Sequence, residues 1–309
     1  LPSMELSVIS PCSSANLGPG YDVLAIAFDA FYDQVNVMLS DKLRILADEI
    51  PVQPDKNTAG LTALKMIEDF GIKDGIKISI KKGIPYGLGL GSSGSSAAAA
   101  AYAINNLFAL GLERKDLIKY AAVGELASSG SPHPDNVSAS ILGGLVIVSP
   151  EGISAKRIEV SDQFKFLLVI ADLKIRDKTK YARSLVPSGV SMGDHKRNTS
   201  RVASLIAGLM SGDRELVSTG MNDDIVEAAR EPIFPYYRRV KDTAIESGAV
   251  GAVVSGAGPS ILVVYDNKTE TKQMIRKISR IYEGMGISVN FATPNVADGV
   301  REVANPLAD

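Results

Sequence analysis

The sequence predicts an α+β chain of two domains: an N-terminal α/β domain over residues 1–155, then a C-terminal ferredoxin-like domain with inserted helices over 156–309. Three observations carry that prediction. A chain of 309 residues has room for two domains of roughly 100–200 residues each. In the second half, apolar and amphipathic runs follow the order β, α, β, β, α, β, which is the split βαβ arrangement. In the first half, a glycine- and serine-rich segment separates an alternating strand from an alanine-rich run.

Taken in order, Glu5 to Ser10 reads as a short strand and Pro11 to Asp22 as a turn-rich loop. Val35, Val37 and Leu39 alternate with other residues, the period of a strand. Asn57 is placed to cap a helix running to Phe70, with Gly71 just past its end. Ile76, Ile78 and Ile80 alternate with Lys77 and Ser79, as in a half-buried strand. The segment Gly87 to Ser96 opens an alanine-rich helix that runs to about Leu110 and stops at Gly111. A further helix covers Arg114 to Ser128, a break Ser129 to Pro134, and a strand Gly144 to Ser149. The second half reads as strand Phe166–Ala171, several helices through Ser247, and strand Ala249–Val254. After these come the glycine loop Ser255–Ser260, strand Ile261–Tyr265, helix Thr269–Tyr282 and strand Ile287–Phe291. No internal repeat interrupts this order.

Composition narrows the functional classes. The net charge of -2 lacks the basic excess that phosphate-backbone binding needs, so nucleic acid is not expected as the main partner. The single cysteine, Cys12, cannot form an intrachain disulfide, and with only two histidines no zinc site of Cys and His is expected. No run of about 18 apolar residues is present, so no membrane span is expected. The first residues, Leu1-Pro2-Ser3-Met4-Glu5, lack a basic stretch followed by an apolar one, and no signal peptide is expected. The expected location is the cytoplasm.

The chemistry concentrates in Gly87-Leu88-Gly89-Leu90-Gly91-Ser92-Ser93-Gly94-Ser95-Ser96. Glycines let a backbone approach a ligand closely. The helix that follows offers unpaired N–H groups and partial positive charge at its start, a site suited to phosphate. A tight loop into a closely packed small-residue helix is the alternative. Gly89-x-Gly91-x-x-Gly94 fits the dinucleotide fingerprint literally, but Lys81 to Gly87 separates it from the preceding strand. The P-loop pattern ends in Gly-Lys-Ser/Thr, and no lysine occurs between Lys82 and Lys115. Downstream, Ile118, Ala121, Ala122 and Glu125 share one helix face. A carboxylate on an apolar stripe needs a cation or an ion pair. Mg²⁺ beside the serines, or a nearby Lys or Arg, would serve.

Three segments converge on a family. Pro11-Cys12-Ser13-Ser14-Ala15-Asn16-Leu17-Gly18-Pro19-Gly20-Tyr21-Asp22, Pro85-Tyr86-Gly87-Leu88-Gly89-Leu90-Gly91-Ser92-Ser93 and Ser255-Gly256-Ala257-Gly258-Pro259-Ser260 resemble the three motifs of the GHMP small-molecule kinases. The resemblance covers about residues 5 to 265. Mevalonate-type members usually carry a lysine in the first motif, where this chain has Cys12-Ser13-Ser14. The Ser-Ala-Asn-Leu-Gly-Pro-Gly-Tyr-Asp run and His133-Pro134-Asp135-Asn136-Val137 are most similar to the branch that phosphorylates homoserine.

The resemblance implies ATP and Mg²⁺ as cofactors, L-homoserine as acceptor, and a homodimer in threonine biosynthesis. It implies that Gly87, Gly89, Leu90, Gly91, Ser92, Ser93, Gly94 and Ser95 wrap the phosphates. Ser92 and Glu125 would hold the metal, and Asn57 would lie near the adenine. For the zwitterionic acceptor it implies Arg183 and Arg230 at the carboxylate and Asp22 and Asn16 at the ammonium. Thr179 and Gly258 would lie near the acceptor, and His133 and Asn136 beside the hydroxyl. Asn136, His133 and Arg183 are the implied catalytic groups, with the base unassigned. Kinases of mevalonate, shikimate or pantoate, a non-catalytic nucleotide binder and an NAD-dependent dehydrogenase are the rival readings.

Overall fold

The computed structural model describes residues 5–304 except Ser131, Pro132, Pro150, Gly152, Lys174, Arg176 and Asp177. The expected break at Ser129 to Pro134 thus lies partly outside the described residues. Strands β1 (Glu5–Ala15) and β2 (Leu24–Ser40) pair antiparallel, with a bulge between Pro11 and Cys12. β2 is 17 residues long and serves two further neighbours. Gln34 to Ser40 pair with β4 (Gly75–Lys81), which is itself flanked by parallel β3 (Arg44–Leu46). Leu24 to Ile26 pair with β5 (Leu145–Ser149), which pairs with β6 (Ser154–Ile158).

Helix α1 (Thr58–Phe70) begins where Asn57 caps it by accepting from the Gly60 N–H at 3.0 Å. α2 (Ser92–Leu107) lies against β1 and β2, with α1, α3 (Arg114–Ser129) and α4 (Pro134–Leu142) around it. Ala97 to Ala101 are fully buried. Small side chains on every face are what allow a helix to sit in the middle of such a layer.

The second sheet has the order β10–β7–β9–β8, all antiparallel: β7 (Lys165–Ala171), β8 (Gly251–Val254), β9 (Ile261–Tyr265) and β10 (Val289–Ala292). α9 (Tyr237–Glu246) and α10 (Thr271–Glu283) supply the two helices of the ferredoxin-like pattern. α5 (Lys178–Ser184), α6 (Met192–Ser211), α7 (Arg214–Gly220) and α8 (Val226–Arg230) are inserted after β7. The fold is the expected one. No helix among the described residues is long and apolar enough to cross a membrane.

Three features differ from the sequence reading. Strand β1 runs on through Ala15, because Cys12 to Ala15 pair with Ala25 to Phe28 of β2. The buried serines there look like turn residues until that pairing is formed. α4 follows His133 directly, started by Pro134 at its first position, where proline's missing N–H costs nothing. A last strand, β11 (Arg301–Val303), returns to pair with β1. Residue 155, near which the domain boundary is expected, lies in β6, the strand that precedes β7 of the second sheet in the chain.

Candidate active site

The cleft forms where the N-terminus of α2 meets α5, α8 and the loop Ser255–Ser260. Gly91 caps α2 with φ 70°, and a Cβ there would lie 2.1 Å from Ser13 Oγ. Gly89 has φ 80°, and its Cβ would lie 2.4 Å from the Ser255 carbonyl. Glycine is therefore required twice, for backbone sign and for space. The first N–H groups of α2 have no carbonyl one turn back and carry the positive end of the helix dipole into the cleft. Behind them stands a buried ion pair, Lys82 with Asp33. The Lys82 Nζ also donates to the Ser92 carbonyl at 2.7 Å and to Ser96 Oγ at 2.9 Å, and Asp33 accepts from the Gly83 and Ile84 N–H groups. This pair fixes the start of the helix from the rear.

Glu125 reaches the cleft from α3 and is 3% exposed. Ser93 Oγ donates to its carboxylate at 3.1 Å. Burial pushes the Glu125 carboxyl up to about 7, with Ser93 pulling down, Asp135 pushing up and Lys82 pulling down. The cleft therefore holds a carboxylate that a bound cation would keep ionised. Among the described residues no cluster of three or more His, Cys, Asp or Glu could hold a metal by itself. One carboxylate beside serine hydroxyls fits Mg²⁺, which takes one or two carboxylates and leaves positions for phosphates and water. Ser93 is the serine whose hydroxyl meets Glu125, whereas Ser92 Oγ donates to the Ile84 carbonyl at 3.3 Å.

The opposite wall is built from long charged side chains. Arg183 donates from Nη2 to both Asp22 carboxylate oxygens, at 3.1 and 3.0 Å, and lies 3.0 Å from His133 Nδ1. Burial and the neighbouring Arg183 charge push the His133 pKa down, which favours the neutral imidazole. Arg230 donates from Nε to the Ala182 carbonyl at 3.0 Å. Both guanidinium groups lie against the Tyr21 ring, at 5.7 Å for Arg183 and 5.0 Å for Arg230. Asn16, at φ 74°, accepts from the Asp22 N–H at 3.1 Å and donates to the Gly256 carbonyl at 3.0 Å. It thereby joins the first motif to the third. Asn136 Oδ1 accepts from Ser13 Oγ at 2.9 Å, which leaves its NH₂ as the group free to donate. Beside it, burial and the Asp22 charge push the buried Asp135 carboxyl up to about 6.

Asn16, Asp22, Gly87, Gly89, Leu90, Gly91, Ser92, Ser93, Glu125, His133, Asn136, Thr179, Arg183 and Arg230 are thus brought to one cleft. Four expected residues are not among those that line it. The Asn57 side chain is spent on the α1 cap and on the Pro51 carbonyl. Ser95 Oγ donates to the Ser10 carbonyl, tying α2 to β1. Gly94 lets α4 approach, since its Cβ would lie 3.2 Å from Val137. Gly258 turns its carbonyl to Lys178, and its own Cβ would strike the Phe234 ring. The sequence reading missed Tyr21 and Lys178, which line the cleft, and the Lys82–Asp33 pair behind it; Asp135, adjacent to Asn136 and named only as standing near the hydroxyl-side groups, lines it too. Tyr21 and Asp135 stood inside quoted motifs; Lys82 and Lys178 gave no local signal.

Two family models match the chain: the GHMP kinases N terminal domain over residues 57–144 and the GHMP kinases C terminal domain over 205–284. The homoserine kinase of Thermoplasma acidophilum is 46% identical over 310 aligned residues, covering 100% of both chains. That of Saccharolobus solfataricus is 45% identical, covering 93% of this chain and 95% of its own. The crystal structure of homoserine kinase from Cytophaga hutchinsonii superposes with a TM-score of 0.90 at 31% identity, covering 98% of each chain. The Methanococcus jannaschii mevalonate kinase, at 16% identity and a TM-score of 0.72 over 96% of this chain and 100% of its own, shares the fold. The chain belongs to the GHMP kinase family.

Proposed function

We propose that this protein is a homoserine kinase, transferring the γ-phosphoryl group of ATP to the side-chain hydroxyl of L-homoserine to give O-phospho-L-homoserine. The observation that carries the reading is one cleft with two chemically different walls. A helix N-terminus with a buried carboxylate suits Mg·ATP, and an arginine–aspartate pair suits an amino-acid zwitterion. The full-length relatives named homoserine kinase support it.

In this reading Glu125 and the neighbouring serine hydroxyls hold Mg²⁺, which when bound neutralises phosphate charge. The backbone of Gly87 to Ser93 cradles the phosphates. Arg230 and Arg183 bind the homoserine carboxylate, the planar fork of guanidinium suiting bidentate pairing. Asp22 receives the ammonium, exchanging part of its contact with Arg183. The Asn136 amide, held by Ser13, donates toward the oxygens exchanged in the transfer. Phosphoryl transfer has a loose transition state that rests on positioning and charge rather than on a strong base. The neutral His133 suits a positioning role, and no base is assigned.

The test is ADP release from the purified protein with homoserine, mevalonate, shikimate and pantoate in turn. Activity with homoserine is expected. Activity confined to any of the others would overturn the assignment.

A further inference from the structure

Burial lowers the pKa of three lysines among the described residues, Lys82, Lys178 and Lys241, and they are not alike. Lys82 is paired with Asp33. Lys241 lies in the field of Glu227 and Asp223. Lys178, 6% exposed, has two carbonyls and no ion-pair partner among the described residues: Gly87 O at 2.6 Å and Gly258 O. Burial alone lowers its pKa to about 7. A buried ammonium without an anion is costly. Two carbonyls also leave it one N–H over, since an ammonium has three.

The location says what would compensate that cost. Lys178 is the first residue of α5 and lines the cleft. Its two carbonyl partners belong to the two glycine loops, which are also tied directly by Ser255 Oγ donating to the Gly89 carbonyl at 2.7 Å. The next residue, Thr179, and Arg183 on the same helix face the acceptor wall. Lys178 thus stands on the boundary between phosphate donor and acceptor. The arginines of the cleft are engaged elsewhere, Arg183 with Asp22 and Arg230 with the Ala182 carbonyl.

We propose that Lys178 is a phosphate-binding residue of this cleft, its ammonium held between the two glycine loops to meet the terminal phosphates of the nucleotide. The inference rests on the ATP reading given above. The test compares wild type, Lys178→Met and Lys178→Arg by calorimetry, with AMP and with a non-hydrolysable ATP analogue in Mg²⁺. Lys178→Met should weaken the ATP analogue by about 10- to 100-fold, the size of one charge-assisted hydrogen bond. AMP binding should stay within roughly threefold, since AMP lacks the terminal phosphates. Lys178→Arg should recover part of the loss. The unfolding temperature of the ligand-free Met variant should not fall, because an uncompensated buried charge has been removed.

Equal affinity of Lys178→Met and wild type for the ATP analogue would overturn the proposal. So would an equal loss for AMP and the ATP analogue, or a Met variant that does not fold, since either makes Lys178 a structural clasp. A wild type that binds neither nucleotide sinks the ATP reading itself, and this inference with it.

Discussion

The two walls of the cleft are made of different material. The wall proposed for the nucleotide is backbone and small side chains: glycines at positive φ, the bare start of α2, and one carboxylate that is 3% exposed. It is braced from behind by the Lys82–Asp33 pair. The wall proposed for the acceptor is long side chains from separate segments, with Arg183 and Asp22 side chains 39% and 36% exposed. A phosphate can be recognised by dipoles fixed in a main chain. A small zwitterion needs two charges of opposite sign at a set distance, which a pair of side chains such as Arg183 and Asp22 can supply. The nucleotide wall should therefore fail through steric change and the acceptor wall through loss of charge.

The largest effect should come from Gly91→Ala. It places a Cβ 2.1 Å from Ser13 Oγ and 2.9 Å from Asn136 Oδ1 and forces alanine into the left-handed region, at about 1–2 kcal/mol. Loss of kcat/KM by about 10²-fold or more is expected, as when a catalytic donor is misplaced, together with a lowered unfolding temperature. If Gly91→Ala turns over normally, the nucleotide wall is not set by its backbone.

Glu125→Gln should come next. Its kcat should fall by about 10²-fold, the scale of removing one charged group from a dry site. Its ligand-free unfolding temperature at pH 8 should match or exceed that of wild type, because a buried carboxylate has been replaced by a neutral amide. Near-normal kcat at low Mg²⁺ would reject the metal role. On the acceptor wall, Arg230→Leu should raise KM for homoserine by about 10- to 100-fold, the size of one charged hydrogen bond. Its KM for ATP should stay within a few-fold, and equal effects on both would erase the distinction between the walls.

The same difference decides what was legible in the sequence. Backbone recognition leaves a contiguous trace, so the proposed phosphate site at Gly87 to Ser93, and the observed cap at Asn57, could be read from neighbours alone. Glu125 was legible because a carboxylate on an apolar stripe is locally anomalous. Lys178 was not. It sits in a charged run, Asp177-Lys178-Thr179-Lys180, that reads as a solvated helix start, and its partners are 91 and 80 residues away. Asp33 and Lys82, 49 residues apart, meet only once β2 and β4 pair. The choice of Ser93 over Ser92 at Glu125 depends on the rotation of α2, which adjacent serines cannot reveal. Ser13 and Ser14 read as turn residues because burial by β2 has no local sign.

The smallest effect tests what supports the acceptor wall. Glu227 lies on α8, three residues before Arg230, and accepts from the Tyr237 hydroxyl at 2.5 Å and the Val254 N–H at 2.8 Å. Burial pushes its carboxyl from the ordinary 4.5 up to about 7, against the pull of Lys241. Between those values the native chain holds a proton that the unfolded chain has released. The stability this contributes is complete below the unfolded pKa and is lost as pH rises through the folded one. Glu125 and Asp135 are raised in the same sense, so these three carboxyls contribute less stability as pH rises from 5 through 7, while the lowered His133 and Lys178 act in the opposite sense. The slope is at most about 1.4 kcal/mol per pH unit for each group. Glu227→Gln should remove one carboxyl's share of that slope in urea unfolding at pH 5, 6, 7 and 8. It should leave nucleotide affinity unchanged, because neither hydrogen bond of Glu227 reaches the glycine loop Gly87 to Ser93. A slope equal to that of wild type would mean that Glu227 stays ionised across this range. The acceptor wall would then rest on a permanent buried charge rather than on a proton held in the fold.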